Sequence, residues 1–128
     1  MATPGMLEPM RTISVSFLGL RTREFAAMRR LYAEAYGMPL LNEAPDAVWF
    51  KLGDNAELHV YAETDQDHAF FGPGPVPGLL VDDFNAAVER LTVHGVEWLT
   101  EPEIANGRTW RHYRAPDGNV YEVMGPAA

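Results

Sequence analysis

Near its end the chain reads Ala115-Pro-Asp-Gly-Asn-Val-Tyr-Glu122-Val-Met, a turn followed by a short alternating strand that carries one carboxylate. Proline pre-sets the first corner of a turn, and glycine accepts the left-handed conformation that closes it. On the strand, Val120, Glu122 and Met124 share one face, with Tyr121 and Val123 on the other. A charged group among strand-forming neighbours sits at a wet edge, paired here with Arg111 or Arg114, or it lines a cavity. In a cavity, Glu122 could accept a hydrogen bond from a ligand or act as a general base if burial raised its pKa. A second group of the same kind is Glu57-Leu-His59-Val-Tyr61, where alternation puts Glu57, His59 and Tyr61 on one face.

Other chemistries are absent from the pattern. There is no cysteine, which excludes disulfides, thiolate catalysis and cysteine zinc sites. No Ser-His-Asp ordering or phosphate-cradling glycine loop occurs. His94 falls at the end of a helical pattern, where a cationic ring suits the helix dipole. His68 lies in an Asp-rich linker and is expected to be solvated, and His112 to be a hydrogen-bonded sheet residue.

The elements that must position these groups repeat. Thr12 to Leu20 reads as a strand, and Glu24 to Tyr36 as an amphipathic helix closed by Gly37. Pro39–Asn42, Ala47–Leu52 and Glu57–Ala62 follow as strands. After a linker, Gly78–Val81 begins the order again. Asp82 or Asp83 caps a helix that buries Phe84, Ala87, Val88 and Leu91, and Gly95 ends it. Val96–Thr100, Thr109–Arg114 and Val120–Met124 complete the second set. Thr22-Arg-Glu-Phe25 matches Val81-Asp-Asp-Phe84, and Trp49 sits in its strand much as Trp110 does. The expected fold is therefore α+β, with two βαβββ modules at 12–62 and 76–124, a linker at 63–75 and a flexible lead-in over 1–11.

The chain has 128 residues, enough for a core without covalent staples, and 47% of them are hydrophobic. Its net charge of −8 argues against nucleic-acid binding and weakly favours a cationic ligand. The first ten residues make a poor signal peptide, and no segment has the length of a membrane span. The expectation is a cytoplasmic protein without membrane or nucleic-acid partners.

Val81-Asp-Asp-Phe-Asn-Ala-Ala-Val-Glu-Arg-Leu91, Gly95-Val-Glu-Trp-Leu and Pro116-Asp-Gly-Asn-Val-Tyr-Glu122 resemble the vicinal oxygen chelate superfamily of glyoxalases, bleomycin-resistance proteins and extradiol dioxygenases. The resemblance implies two modules whose curled mixed sheets form a cup, with a divalent metal held in the enzymes by side chains on each module's first and last strands. The family's first-strand histidine falls at Phe17 and its counterpart at Val76, neither of which binds metal. Glu122 falls on the last carboxylate ligand, and Glu57 is taken as its match in module one, with His59 two residues on. Metal sites are anchored by imidazole or thiolate, so no cofactor is expected; a divalent metal, if held, would use Glu57, His59 and Glu122.

The resemblance thus implies a small-molecule-binding protein without a family-type metal, its cup lined by Phe17, Trp49, Glu57, His59, Trp110 and Glu122. Trp49 and Trp110 either wall that space or belong to the core between sheet and helix. The competing expectation is a lyase, isomerase or dioxygenase-type enzyme using Glu122 as base or metal ligand. A degenerate partner domain is a third. Arg21, Arg111 or Arg114 could instead clamp an anion. A homodimer is the default, with Phe70 and Phe71 at its interface.

Overall fold

A computed structural model describes residues 9–71 and 74–127. The first eight residues of the expected lead-in, and positions 72–73 of the expected linker, lie outside them. The fold is α+β, and the chain divides into two compact units. One is Ser16–Pro77; the other joins the residues up to Val15 to those from Gly78 onward. Among the described residues no helix is long and apolar enough to cross a membrane.

In the unit Ser16–Pro77 the strands run in the order β2 (Leu40–Ala44), β3 (Ala47–Leu52), β4 (Ala56–Ala62) and β1 (Thr12–Thr22). β1 and β4 are parallel, and the other neighbours antiparallel. Alternation splits the sheet's side chains cleanly. Leu20, Val48, Phe50, Leu58 and Val60 are buried and pack against Phe25, Met28 and Tyr32 of the first helix. The opposite face carries Phe17, Gly19 and Arg21 beside Glu57, His59 and Tyr61, which in turn oppose Lys51, Trp49 and Ala47. That first helix, α1 (Phe25–Arg30), continues in π geometry over Leu31–Ala35. Gly37 follows in the left-handed region at φ 66°, as a C-terminal cap requires.

The other unit orders β5 (Val76–Val81), β9 (Val120–Pro126), β8 (Arg108–Arg114) and β6 (Glu97–Trp98), with β7 (Glu103–Ala105) also paired to β8. The second helix, α2 (Phe84–Val93), lies against Val81, Tyr113 and Val123. Asp83 is its N-cap, accepting the Ala86 amide at 3.0 Å. Asp82 is used differently: it accepts the Arg11 amide at 2.8 Å while its own amide donates to the Arg11 carbonyl. Met10 packs on the same core, so the last residues of the expected lead-in are anchored. β7 was not expected. Asn106 and Gly107, both at positive φ, turn it tightly into β8.

The linker is a second departure. Phe71 is 2% exposed within its own chain and meets Phe17 and Tyr61 edge-on, so it is core of this unit and not an exposed surface awaiting a partner. Gly19 makes room for it, since a Cβ there would lie 2.7 Å from the Phe71 ring. His68 is not solvated as expected: it stacks on Tyr61 at 3.6 Å between centroids, and its Nδ1 lies 3.2 Å from both Asp65 carboxylate oxygens.

Candidate functional site

Two groups of chemistry-bearing residues emerge, one in each unit. In Ser16–Pro77 the group is built on β4, where positions i, i+2 and i+4 line Glu57, His59 and Tyr61 along the face away from α1. His59 Nε2 lies 2.8 Å from Glu57 Oε1, and Nδ1 lies 2.8 Å from Tyr61 Oη. A carboxylate only accepts, so Nε2 carries the proton, and the neutral ring's Nδ1 accepts from the Tyr61 hydroxyl. Trp49 stacks flat on the imidazole at 4.5 Å, and Phe17 meets it edge-on at 4.9 Å. Burial among these rings pushes the His59 pKa below the ordinary histidine value. Glu57 opposes that shift, and the nearby His68 adds to it. The Glu57 side chain is 49% exposed and the His59 side chain 12%, so the line runs from solvent inward.

Arg21, on the same face, is committed: Nε donates to the Asp65 carbonyl at 3.0 Å and Nη2 to the Glu63 carbonyl at 2.6 Å. It holds the linker instead of offering a clamp for an anion.

In the other unit Glu122 is 3% exposed, which removes the wet-edge reading. Its partner is neither Arg111 nor Arg114 but His112, directly opposite on β8, with His112 Nε2 3.1 Å from Glu122 Oε2. Arg111 points to the α2 side, where it covers the Trp98 ring at 4.3 Å and donates to the Thr100 carbonyl at 2.7 Å. Arg114 pairs with Glu97 and the Gly118 carbonyl. The His112 backbone is tied to the segment before β7 by a hydrogen bond that its amide donates to Thr100 Oγ1 at 3.0 Å. Trp110, opposite Met124, donates from Nε1 to Glu103 at 3.0 Å. Trp49 and Trp110 both stand on the sheet face away from the helix of their own unit, so neither is sheet-helix core.

The candidates therefore fall into Phe17, Trp49, Glu57 and His59 in one unit, and Trp110 and Glu122 in the other. Tyr61, His68, Asp65 and His112 join these groups without having been chosen as site residues from the sequence. For His112 a signal existed: a hairpin closed over Pro116-Asp-Gly, between Ala115 and Asn119, places 112 opposite 122. A separate cavity of about 120 Å³ lies under α2, lined by Met10, Leu79, Ala87, Leu91 and Tyr113 among others, and contains none of the candidates.

The strand register also corrects one correspondence. Phe17 and Val76 are equivalent, so Gly19 matches Gly78; Gly19 is paired with His59 and Gly78 with Glu122. The match for Glu122 is His59, not Glu57.

This donor set does not fit a family-type metal. Phe17 and Val76 offer no ligand atom, both His59 nitrogens are hydrogen-bonded, and Glu122 faces His112. Among the described residues no three His, Asp or Glu side chains are grouped as a metal site needs.

Residues 14–123 match the Glyoxalase/Bleomycin resistance protein/Dioxygenase superfamily. The chain belongs to that superfamily. No curated protein was found to match it. Among solved structures, this glyoxalase-superfamily chain is similar to methylmalonyl-CoA epimerase from Mycobacterium tuberculosis, with 19% identity, a TM-score of 0.68, and 98% of this chain and 95% of that one covered. It is also similar to the Mn(II)-bound glyoxalase from Novosphingobium aromaticivorans, with 19% identity and a TM-score of 0.72, covering 91% of this chain and 40% of that one. A hypothetical protein from Bacillus halodurans aligns with 15% identity and a TM-score of 0.67, covering 94% of this chain and 97% of that one. At these identities the likeness is one of fold.

Proposed function

We propose that this superfamily member binds a small organic molecule without a family-type metal, and that the sheet face carrying Phe17, Trp49, Glu57 and His59 contributes to the binding surface. The observation that carries the reading is the stacked Trp49–His59 pair beside the half-exposed Glu57 carboxylate. Flat apolar rings with one oriented polar group are what recognition of a small molecule requires. The net charge of −8 and the acceptor-only carboxylate favour a ligand that brings a hydrogen-bond donor or positive charge. Titration of the wild-type chain with a panel of aromatic amines, followed by tryptophan emission, tests this. Saturable change that Trp49→Leu abolishes supports it; a flat response across amines, neutral aromatics and acids sinks it. Homodimerisation and a cytoplasmic location belong to the same proposal, and sedimentation at two concentrations tests the first.

A second reading is favoured by the buried Glu122–His112 pair. A carboxylate 3.1 Å from an imidazole and shut away from water is placed to move a proton, as a lyase or isomerase needs. In that reading Glu122 takes the proton from a carbon acid and His112 orients it. Deuterium exchange into a carbon acid that Glu122→Gln abolishes would favour the enzyme; exchange unaffected by the substitution would remove Glu122 from any such step.

A further inference from the structure

We propose that Glu57 is the group that meets the ligand's positive charge, and that Asp65, His68, Tyr61 and His59 form a chain that positions it. This rests on the binding reading above and names the ligand class for that surface, an organic ammonium attached to a flat ring.

The chain can be followed atom by atom. Asp65 is buried and accepts the His68 amide at 3.1 Å, with the His68 ring nitrogen at 3.2 Å. Held so, the His68 ring lies parallel to Tyr61, with an interplanar angle of 12°. Tyr61 is thereby fixed in rotation, and its hydroxyl meets His59 Nδ1 at 2.8 Å. The imidazole, clamped between Trp49 and Phe17, delivers its Nε2 proton to one Glu57 oxygen, Oε1, at 2.8 Å. What remains for a ligand follows by subtraction. Both His59 nitrogens are committed, so the imidazole can neither bind a metal nor donate to a ligand without breaking this line. The second Glu57 oxygen, Oε2, takes no part in that bond and sits on a half-exposed side chain, opposite Lys51 and joined through the His59 ring to Trp49. A carboxylate next to an aromatic face is the arrangement that recognises an ammonium group, through a charge-assisted hydrogen bond and the ring quadrupole. Positioning matters because a carboxylate on an exposed side chain otherwise spends rotamer entropy to hold one geometry.

Two measurements on the full chain test this. Two-bond ¹H–¹⁵N correlation NMR at pH 7 reads the His59 tautomer with no ligand present: a proton on Nε2 is expected, and a proton on Nδ1 overturns the chain. Benzylammonium, titrated by tryptophan emission, reads its consequence. Glu57→Gln is expected to weaken binding about tenfold, the loss of one charge-assisted bond. Tyr61→Phe and His68→Ala are expected to weaken it several-fold with unchanged circular dichroism and a moved His59 Nδ1 resonance. His68→Phe, which keeps a flat ring on Tyr61, is expected to restore most of the affinity. If Tyr61→Phe leaves the affinity untouched while Glu57→Gln reduces it, the positioning role falls. If wild type does not bind benzylammonium, the ligand class falls; a surviving emission response to neutral aromatics would then show that the binding surface stands without it.

Discussion

His59 and Glu122 occupy equivalent places in the two repeats, each directly opposite a glycine of the neighbouring parallel strand, Gly19 and Gly78. A duplicated scaffold has thus placed an imidazole in one copy and a carboxylate in the other. Each has recruited a partner of opposite acid–base character: Glu57 from the same strand for His59, and His112 from the antiparallel neighbour for Glu122. The repeat preserves the backbone slot, and the side chains have diverged.

The Glu122–His112 pair makes one side chain depend on the other. Removing one member of a buried polar pair leaves the other without compensation, at a cost of about 1–3 kcal/mol. Glu122→Ala is expected to lose that much stability in urea denaturation. Replacing both residues with apolar side chains of similar volume should recover most of it, and a double variant as unstable as the single one would contradict the pairing.

His59 gives a pH dependence whose sign is set by its lowered pKa. Below the ordinary histidine value near 6.5, the unfolded chain takes up a proton that the folded chain refuses, so stability falls as pH falls. The contribution is complete above that value and is lost as pH descends through the folded-state pKa. His59→Gln should flatten this part of the stability profile, measured by chemical denaturation between neutral and mildly acidic pH.

Gly19 is the floor on which Phe71 rests. Gly19→Ala forces its new methyl group into the Phe17 and Phe71 rings, and overpacking of this kind costs about 1–3 kcal/mol. Phe71→Leu in the same chain should relieve part of that loss. Additive destabilisation by the two changes would show that the rings yield elsewhere.

Metal titration discriminates sharply. With Phe17 and Val76 at the strand positions that would supply imidazole, micromolar Mn2+, Ni2+, Zn2+ or Fe2+ is expected to give no stoichiometric heat in calorimetry. Stoichiometric binding that Glu122→Gln abolishes would restore the metal-dependent enzyme as the working account.

Local rules carried most of the fold. Ala47–Leu52 was expected and found with the same ends, both helices begin at the matched Phe25 and Phe84, and alternation correctly put Glu57, His59 and Tyr61 on one face. β7 was missed although Asn106-Gly107 is a strong hairpin signal, because its strand is only three residues long and exposed. The site was less legible. His112 opposite Glu122 follows from hairpin register, a local matter that could have been counted out. The stacking of His68 on Tyr61 and the seat of Phe71 could not, since they fold an irregular segment back onto β4 and β1, and no periodicity encodes that.

The eleven residues of β1 have one further consequence. Its first four residues group with the part of the chain after Gly78, and its last seven with the part before it. A polypeptide divided at Pro77 would therefore keep one unit whole and split the other. The C-terminal fragment would lack Met10 and Arg11, which complete its core and its tie to Asp82. The C-terminal fragment should therefore regain its full core only when the N-terminal one is supplied.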